Sequence, residues 1–135
     1  MANGYLLDTN IWSALIQRKS APLVKHISKF KPEQIFLSPI VFGELKVGYY
    51  KDDKTPIRQR VLDEIVAMAQ PLTLDAAVSD VYARLRSTLE AAGTPIGPND
   101  TWIAAEALHH RLVMVTDNVG EFSRVPKLRV ENWLA

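Results

Sequence analysis

The chain has 135 residues, 47% of them hydrophobic and 23% charged, with 16 basic and 15 acidic side chains and a formal net charge of +1. Those fractions and that length are those of one globular domain, residues 1–135, able to bury a core without staples. Cysteine is absent, so both a disulfide framework and a thiolate metal site are excluded.

Met1-Ala2-Asn3-Gly4 carries no basic leader, and the apolar run that follows is broken at once by Asp8. Neither a secretory signal nor a membrane span is predicted, and the expected location is the cytoplasm. Tyr5-Leu6-Leu7 reads as a short strand ending in Asp8. Thr9-Asn10 then supply turn chemistry for a helix whose apolar face is Ile11, Trp12, Leu15 and Ile16. Pro22 reopens a helix with Leu23, Val24, Ile27 and Phe30 in its stripe, stopped by Lys31-Pro32.

Ile35-Phe36-Leu37 is a second strand, and Ser38-Pro39 starts a third helix, with Ser as cap and Pro at the first helical position. Glu44 falls within that helix among Val41, Phe42, Leu45 and Val47. Lys51 to Pro56 is a polar break, followed by a helix carrying Ile57, Val61, Leu62, Ile65 and Met68. Pro71-Leu72-Thr73-Leu74 is a brief extended piece before a long helix from about Asp75 to Ala92.

Gly93 to Pro98 is a glycine-punctuated connector into a helix that holds Asp100 at its start and Ile103, Ala104, Ala107 and Leu108 on its buried face. Leu112 to Val115 is the fourth strand, ending in Thr116-Asp117-Asn118, and Leu128 to Val130 the last. Short apolar strands alternating with helices predict an α/β fold with a mainly parallel sheet flanked by helices.

In such a sheet, sites form at the carboxyl ends of the strands. Asp8 ends the first strand, Glu44 lies on the helix after the second, Asp100 starts the helix before the fourth, and Asp117-Asn118 end the fourth. One alternative is that Asp8 and Asp100 cap helices while Glu44 and Asp117 are surface charges. The other is that they converge, and like charges gather mainly around a cation. An all-oxygen set suits Mg²⁺ or Mn²⁺, which activates water and orients a phosphodiester.

Other features read more plainly as structure. His109-His110 suits a helix C-terminus, and Trp12, Trp102 and Trp133 read as packing residues. Ser38 reads as a cap, and no glycine-rich phosphate loop is present. The basic residues Arg18, Lys19, Lys25, Lys29, Lys31, Lys46, Lys51, Lys54, Arg58 and Arg60 read as solvated helix faces, and the near-neutral total neither demands nor excludes a nucleic-acid partner.

With these residues in hand, the chain resembles PIN-domain ribonucleases, specifically the VapC toxins of bacterial type II toxin–antitoxin modules. The matching segments are Tyr5 to Ile11, Ser38 to Leu45 with Gly48, Ile96 to Ala107, and Val115 to Asn118 followed by Glu121-Phe122. The tail from Arg124 through Trp133 is similar as well.

The resemblance implies a PIN-like fold and a Mg²⁺-dependent endoribonuclease acting on structured loops of tRNA or ribosomal RNA. It also implies a homodimer silenced by a cognate antitoxin, with no membrane association. Asp8, Glu44 and Asp100 match the three invariant acids, with Asp8 and Asp100 as direct metal ligands. Thr116 and Phe122 set a register that selects Asn118, not Asp117, as the fourth site residue. An amide there adds no charge and leaves both a one-ion and a two-ion arrangement open. Lys46, Arg84 and Arg86 are candidates for phosphate contacts. The competing readings are a PIN protein that binds nucleic acid in a repressor complex without cutting it, and a metal-dependent phosphatase.

Overall fold

The computed structural model describes residues 4–17, 20–52 and 55–134. Its centre is β1 (Tyr5–Leu7), where Leu6 and Leu7 are fully buried. Parallel pairing extends from it on both sides. β2 (Ile35–Leu37) and β3 (Gln70–Pro71) lie on one flank, β4 (Val113–Val115) and β5 (Val130–Glu131) on the other, giving the order β3-β2-β1-β4-β5. Leu7 stands opposite Val115, and the amide of Asp8 continues that ladder to the Val115 carbonyl at 2.9 Å. Because the chain winds outward in two directions from β1, the crevice between the carboxyl ends of β1 and β4 is a topological switch point.

Helices connect the strands: α1 (Thr9–Ile16), α2 (Ala21–Ile27), α3 (Pro39–Asp52), α4 (Pro56–Met68), α5 (Ala76–Ala91), α6 (Pro98–His110) and the single-turn α7 (Val119–Phe122). Their starts follow from local chemistry. Ser20, Thr55 and Asp75 accept the amides of Leu23, Arg58 and Val78, so each satisfies a donor that has no partner within the helix. Proline occupies the first turn of α2, α3, α4 and α6, where its missing N–H costs nothing. Gly93, at φ 73°, ends α5 in the left-handed conformation that glycine adopts most readily.

Several expected boundaries shift. The second helix ends at Ile27 rather than running to Phe30, because Lys29 and Phe30 turn back onto His26 and Ile27 with the tighter three-residue spacing. Phe30 is spent instead on a ring cluster with Tyr5, His26 and Trp133. The last strand forms at Val130–Glu131, one to two residues later than predicted. Asp53 and Lys54 of the predicted polar break, and Arg18 and Lys19 of the basic run, lie outside the described residues. Lys25, Lys29, Lys31, Lys51, Arg58 and Arg60 are exposed, as solvated faces require.

One core joins the two faces of the sheet, with Leu6, Leu7, Ile11, Trp12, Ile103, Ala104, Met114 and Phe122 all fully buried within it. The small residues Ala104, Ala105 and Ala107 let α6 sink into this core from Thr101 to Ala107. That burial includes an acid, Glu106, on a stretch where the predicted buried face was purely apolar. No helix among the described residues is long and apolar enough to cross a membrane.

Candidate active site

Asp8 stands at the switch point, only 8% exposed, directly after β1. Its Oδ1 accepts the Thr9 amide at 2.8 Å, which caps α1, and its Oδ2 accepts the Thr116 hydroxyl at 2.8 Å. Capping and site-building are therefore the same geometry at this residue. Thr116 is fully buried and in turn accepts the Asn118 amide at 3.0 Å, so the end of β4 is folded back onto Asp8. Burial raises the Asp8 pKa, opposed by the Thr116 and Thr9 hydrogen bonds and assisted by the charges of Asp117 and Glu121.

Glu44 reaches the same rim from α3. Its Oε1 accepts the Thr9 hydroxyl at 3.2 Å, which ties the third helix to the start of the first. Burial raises its pKa, and the Asp8 charge adds to the rise. Glu44 is thus neither a free surface charge nor a core residue. It is a half-buried acid aimed at Asp8's neighbourhood.

Asp100 comes from the other side. The helix starts at Pro98 with Gly97 in the cap position, so Asp100 is the third helical residue and makes no capping bond. This corrects the alternative that Asp100 is a helix cap; the first-turn position and the helix dipole favour an acid there instead. Burial first, then the charges of Glu121, Asp8 and Glu44, push its pKa from 3.8 up to about 7. Three acids from three separate segments therefore share one field.

At the fourth position, Asn118 and Asp117 turn to different partners. Asn118 is exposed, and its Nδ2 donates to Glu121 Oε2 at 2.6 Å. Glu121 Oε1 accepts the Gly97 amide at 2.9 Å, closing the connector that precedes Asp100 onto α7. That backbone bond is the main cause of a lowered Glu121 pKa, and Glu121 also hydrogen-bonds Asp100. In the sequence, Glu121 figures only beside Phe122 in the matching segment, with no site role; the available signal was its place three residues after Asn118, one helical turn on. Asp117 points elsewhere, accepting Asn10 Nδ2 at 3.2 Å on an exposed edge.

The remaining candidates are engaged with other partners or placed away along their helices. Lys46 packs its ammonium over the Phe42 ring, 5.2 Å from the centroid. Arg84 and Arg86 pair along α5 with Asp80 and Glu90 at 2.8 and 3.2 Å, and Arg86 also donates to the Tyr82 hydroxyl. His109 and His110 close α6 roughly 15 Å along its axis from Asp100, as the rise of a helix requires. Burial, then His109, lowers the His110 pKa. Trp12 and Trp133 are buried, while Trp102 stacks on Tyr82 with ring centroids 3.9 Å apart.

Among the described residues, no group of three His, Asp or Glu side chains forms a ready-made ion cage. The donor chemistry nonetheless fits a hard divalent cation. The donors are all oxygen, and each Asp8 oxygen accepts one protein hydrogen bond and keeps a lone pair. The named charge neighbours that raise Asp8, Glu44 and Asp100 are all acids, a crowding that a cation relieves.

The PIN domain family matches residues 5–128 of the chain. Ribonuclease VapC2 of Rickettsia felis is 35% identical over 96% of this chain and 97% of its own length. The tRNA(fMet)-specific endonuclease VapC of Shigella flexneri is 33% identical over 96% and 97%. Among solved structures, VapBC2 from Rickettsia felis bound to a promoter DNA fragment aligns with a TM-score of 0.86 and 32% identity over 96% of this chain and 98% of that one. Matched along nearly its whole length in sequence and in fold, this chain belongs to the PIN-domain family and, within it, to the VapC group.

Proposed function

We propose that this chain is the toxin endoribonuclease of a toxin–antitoxin pair and that it hydrolyses phosphodiesters in structured RNA with a bound divalent cation. The observation that carries this reading is the convergence of Asp8, Glu44 and Asp100 on one rim, in a chain related over its length to named ribonucleases. Asp8 and Asp100 would hold the ion, and Mg²⁺ there supplies polarisation of water and neutralisation of phosphate charge.

The chain's own groups do the rest. Thr116 and the Thr9 amide fix the Asp8 carboxylate, so it needs no reorganisation on binding. Glu44, anchored by Thr9 and raised in pKa by burial, is the group to accept the proton that attacking water sheds. Water adds in line to phosphorus and the P–O3′ bond breaks; the departing 3′ oxygen takes a proton from solvent, leaving a 3′-hydroxyl and a 5′-phosphate. Asn118 acts through Glu121, holding the start of α6 in place.

The partner reading rests on relatives solved as VapBC complexes. An apolar groove of about 350 Å³ between α1, α2 and α4, lined by Trp12, Leu15, Ile16, Val24, Val61 and Met68, is the surface an antitoxin would cover. The test is to incubate purified chain with cellular RNA and Mg²⁺ or Mn²⁺ and map the new 5′ ends, beginning with initiator tRNA because of the Shigella relative. Asp8→Asn and Asp100→Asn abolish the new ends if the reading holds. Full cleavage by either variant overturns it, and phosphate release from small phosphoesters without RNA cleavage would favour a phosphatase.

A further inference from the structure

Ser38 and Glu106 form a buried pair that the cleavage site does not use directly. Both side chains are fully buried, and the Ser38 hydroxyl donates to Glu106 Oε1 at 2.5 Å. Ser38 Oγ is already the acceptor that starts α3, taking the amides of Ile40 at 3.0 Å and Val41 at 3.5 Å. Its single proton is left over, and Glu106 receives it. Glu106 Oε2 has no hydrogen-bond partner among the described residues.

Stability alone does not account for Glu106. The cap needs only the Ser38 oxygen as acceptor, and the residues around position 106 on α6 are Ala104, Ala105 and Ala107, all fully buried. Burying a carboxyl among them with one oxygen unpaired costs free energy that an apolar residue would avoid. Burial raises its pKa from 4.5 to about 7, because the interior penalises the charged form. The hydrogen bond it makes to Ser38 ties together two segments 68 residues apart in the sequence.

What the pair joins is specific. Ser38 lies six residues before Glu44 on the segment that becomes α3, and Glu106 lies six residues after Asp100 on α6. At 1.5 Å per residue the latch sits about 9 Å along each helix from the acid it carries. It is a cross-link between the helix of Glu44 and the helix of Asp100. We propose that Glu106, through Ser38, is a positioning residue that sets the spacing of α3 against α6 and so the separation of Glu44 from Asp100. This rests on the proposed use of Asp8, Glu44 and Asp100 as a cation site.

The test measures Mn²⁺ binding to the purified full chain by calorimetry without RNA, beside RNA cleavage and thermal unfolding. Glu106→Met removes the acceptor at similar volume, while Glu106→Gln keeps it and gives Ser38 the same partner atom. The expected result is that Glu106→Met weakens Mn²⁺ binding about tenfold, as loss of an outer-shell partner does, and lowers kcat with little change in KM. Glu106→Gln should stay within about threefold of the parent, a difference below one outer-shell contact. Should Glu106→Met not fold, Ser38→Ala removes the donor and is expected to weaken Mn²⁺ equally. Variants that change only the melting temperature and leave Mn²⁺ binding intact overturn the proposal. Asp8→Asn serves as the control: if it too leaves Mn²⁺ binding unchanged, it is the cation-site reading that fails.

Discussion

Thr116 donates its hydroxyl to Asp8 Oδ2 at 2.8 Å across 108 residues of sequence, and this bond joins the ends of the two central strands at the switch point. Thr116 is buried, so deleting the hydroxyl leaves a carboxylate oxygen without its donor. Thr116→Val should lower unfolding free energy by about 1–3 kcal/mol, the cost of an unsatisfied buried group, and depress cleavage. Thr116→Ser should restore both. Urea unfolding and RNA cleavage check this; a Thr116→Val protein as active as the parent would show that Asp8 needs no such clamp.

Asp100 couples function to stability through pH. Its folded pKa of about 7 lies above the ordinary 3.8, so the folded state holds a proton that the unfolded chain has lost. The stability this gives is fully present below pH 3.8 and is lost as pH rises through about 7. In chelator, Asp100→Asn should therefore melt higher than the parent at pH 8, with the gain fading toward pH 4. Divalent cation should raise the melting temperature of the parent and not that of the variant. Calorimetry at both pH values decides it, and a variant less stable at pH 8 would refute the crowding.

The loop end of β4 yields a ranking. Asn118→Ala should reduce cleavage more than Asp117→Ala, because Asn118 holds Glu121 while Asp117 pairs outward with Asn10. Glu121→Ala should reduce it further, by about tenfold or more, since it frees both Asn118 and the Gly97 amide ahead of Asp100. Initial rates on one RNA substrate give the order. Asp117→Ala as the weakest enzyme would reverse the assignment.

Arg111 closes α6 at φ 57°, a left-handed position that costs a side chain about 1 kcal/mol. Arg111→Gly should thus raise unfolding free energy by about 1 kcal/mol or somewhat less, without altering cleavage. Denaturant midpoints check the sign. A loss of stability would mean that the side chain contributes contacts beyond its strain.

The sequence by itself determined the order of strands and helices, because apolar periodicity, Ser and Asp caps and first-turn prolines act over a few residues. It also marked Asp8, Glu44 and Asp100, since an acid at a strand end, inside an apolar turn or at a helix start stands out locally. Boundaries at Phe30 and Val130 escaped it, because ring packing against Trp133 and pairing with Met114 are distant contacts.

Only the tertiary structure decided which groups share a field. Glu121 reads as an ordinary surface acid until the Gly97 amide, 24 residues earlier, is brought onto it. Glu106 reads as part of a helix face until burial of α6 and the arrival of Ser38 from 68 residues away make it an interior carboxyl. Charge, burial and hydrogen bonding depend on what lies within a few ångströms, and the parallel sheet sets those neighbours by joining strands far apart in the chain.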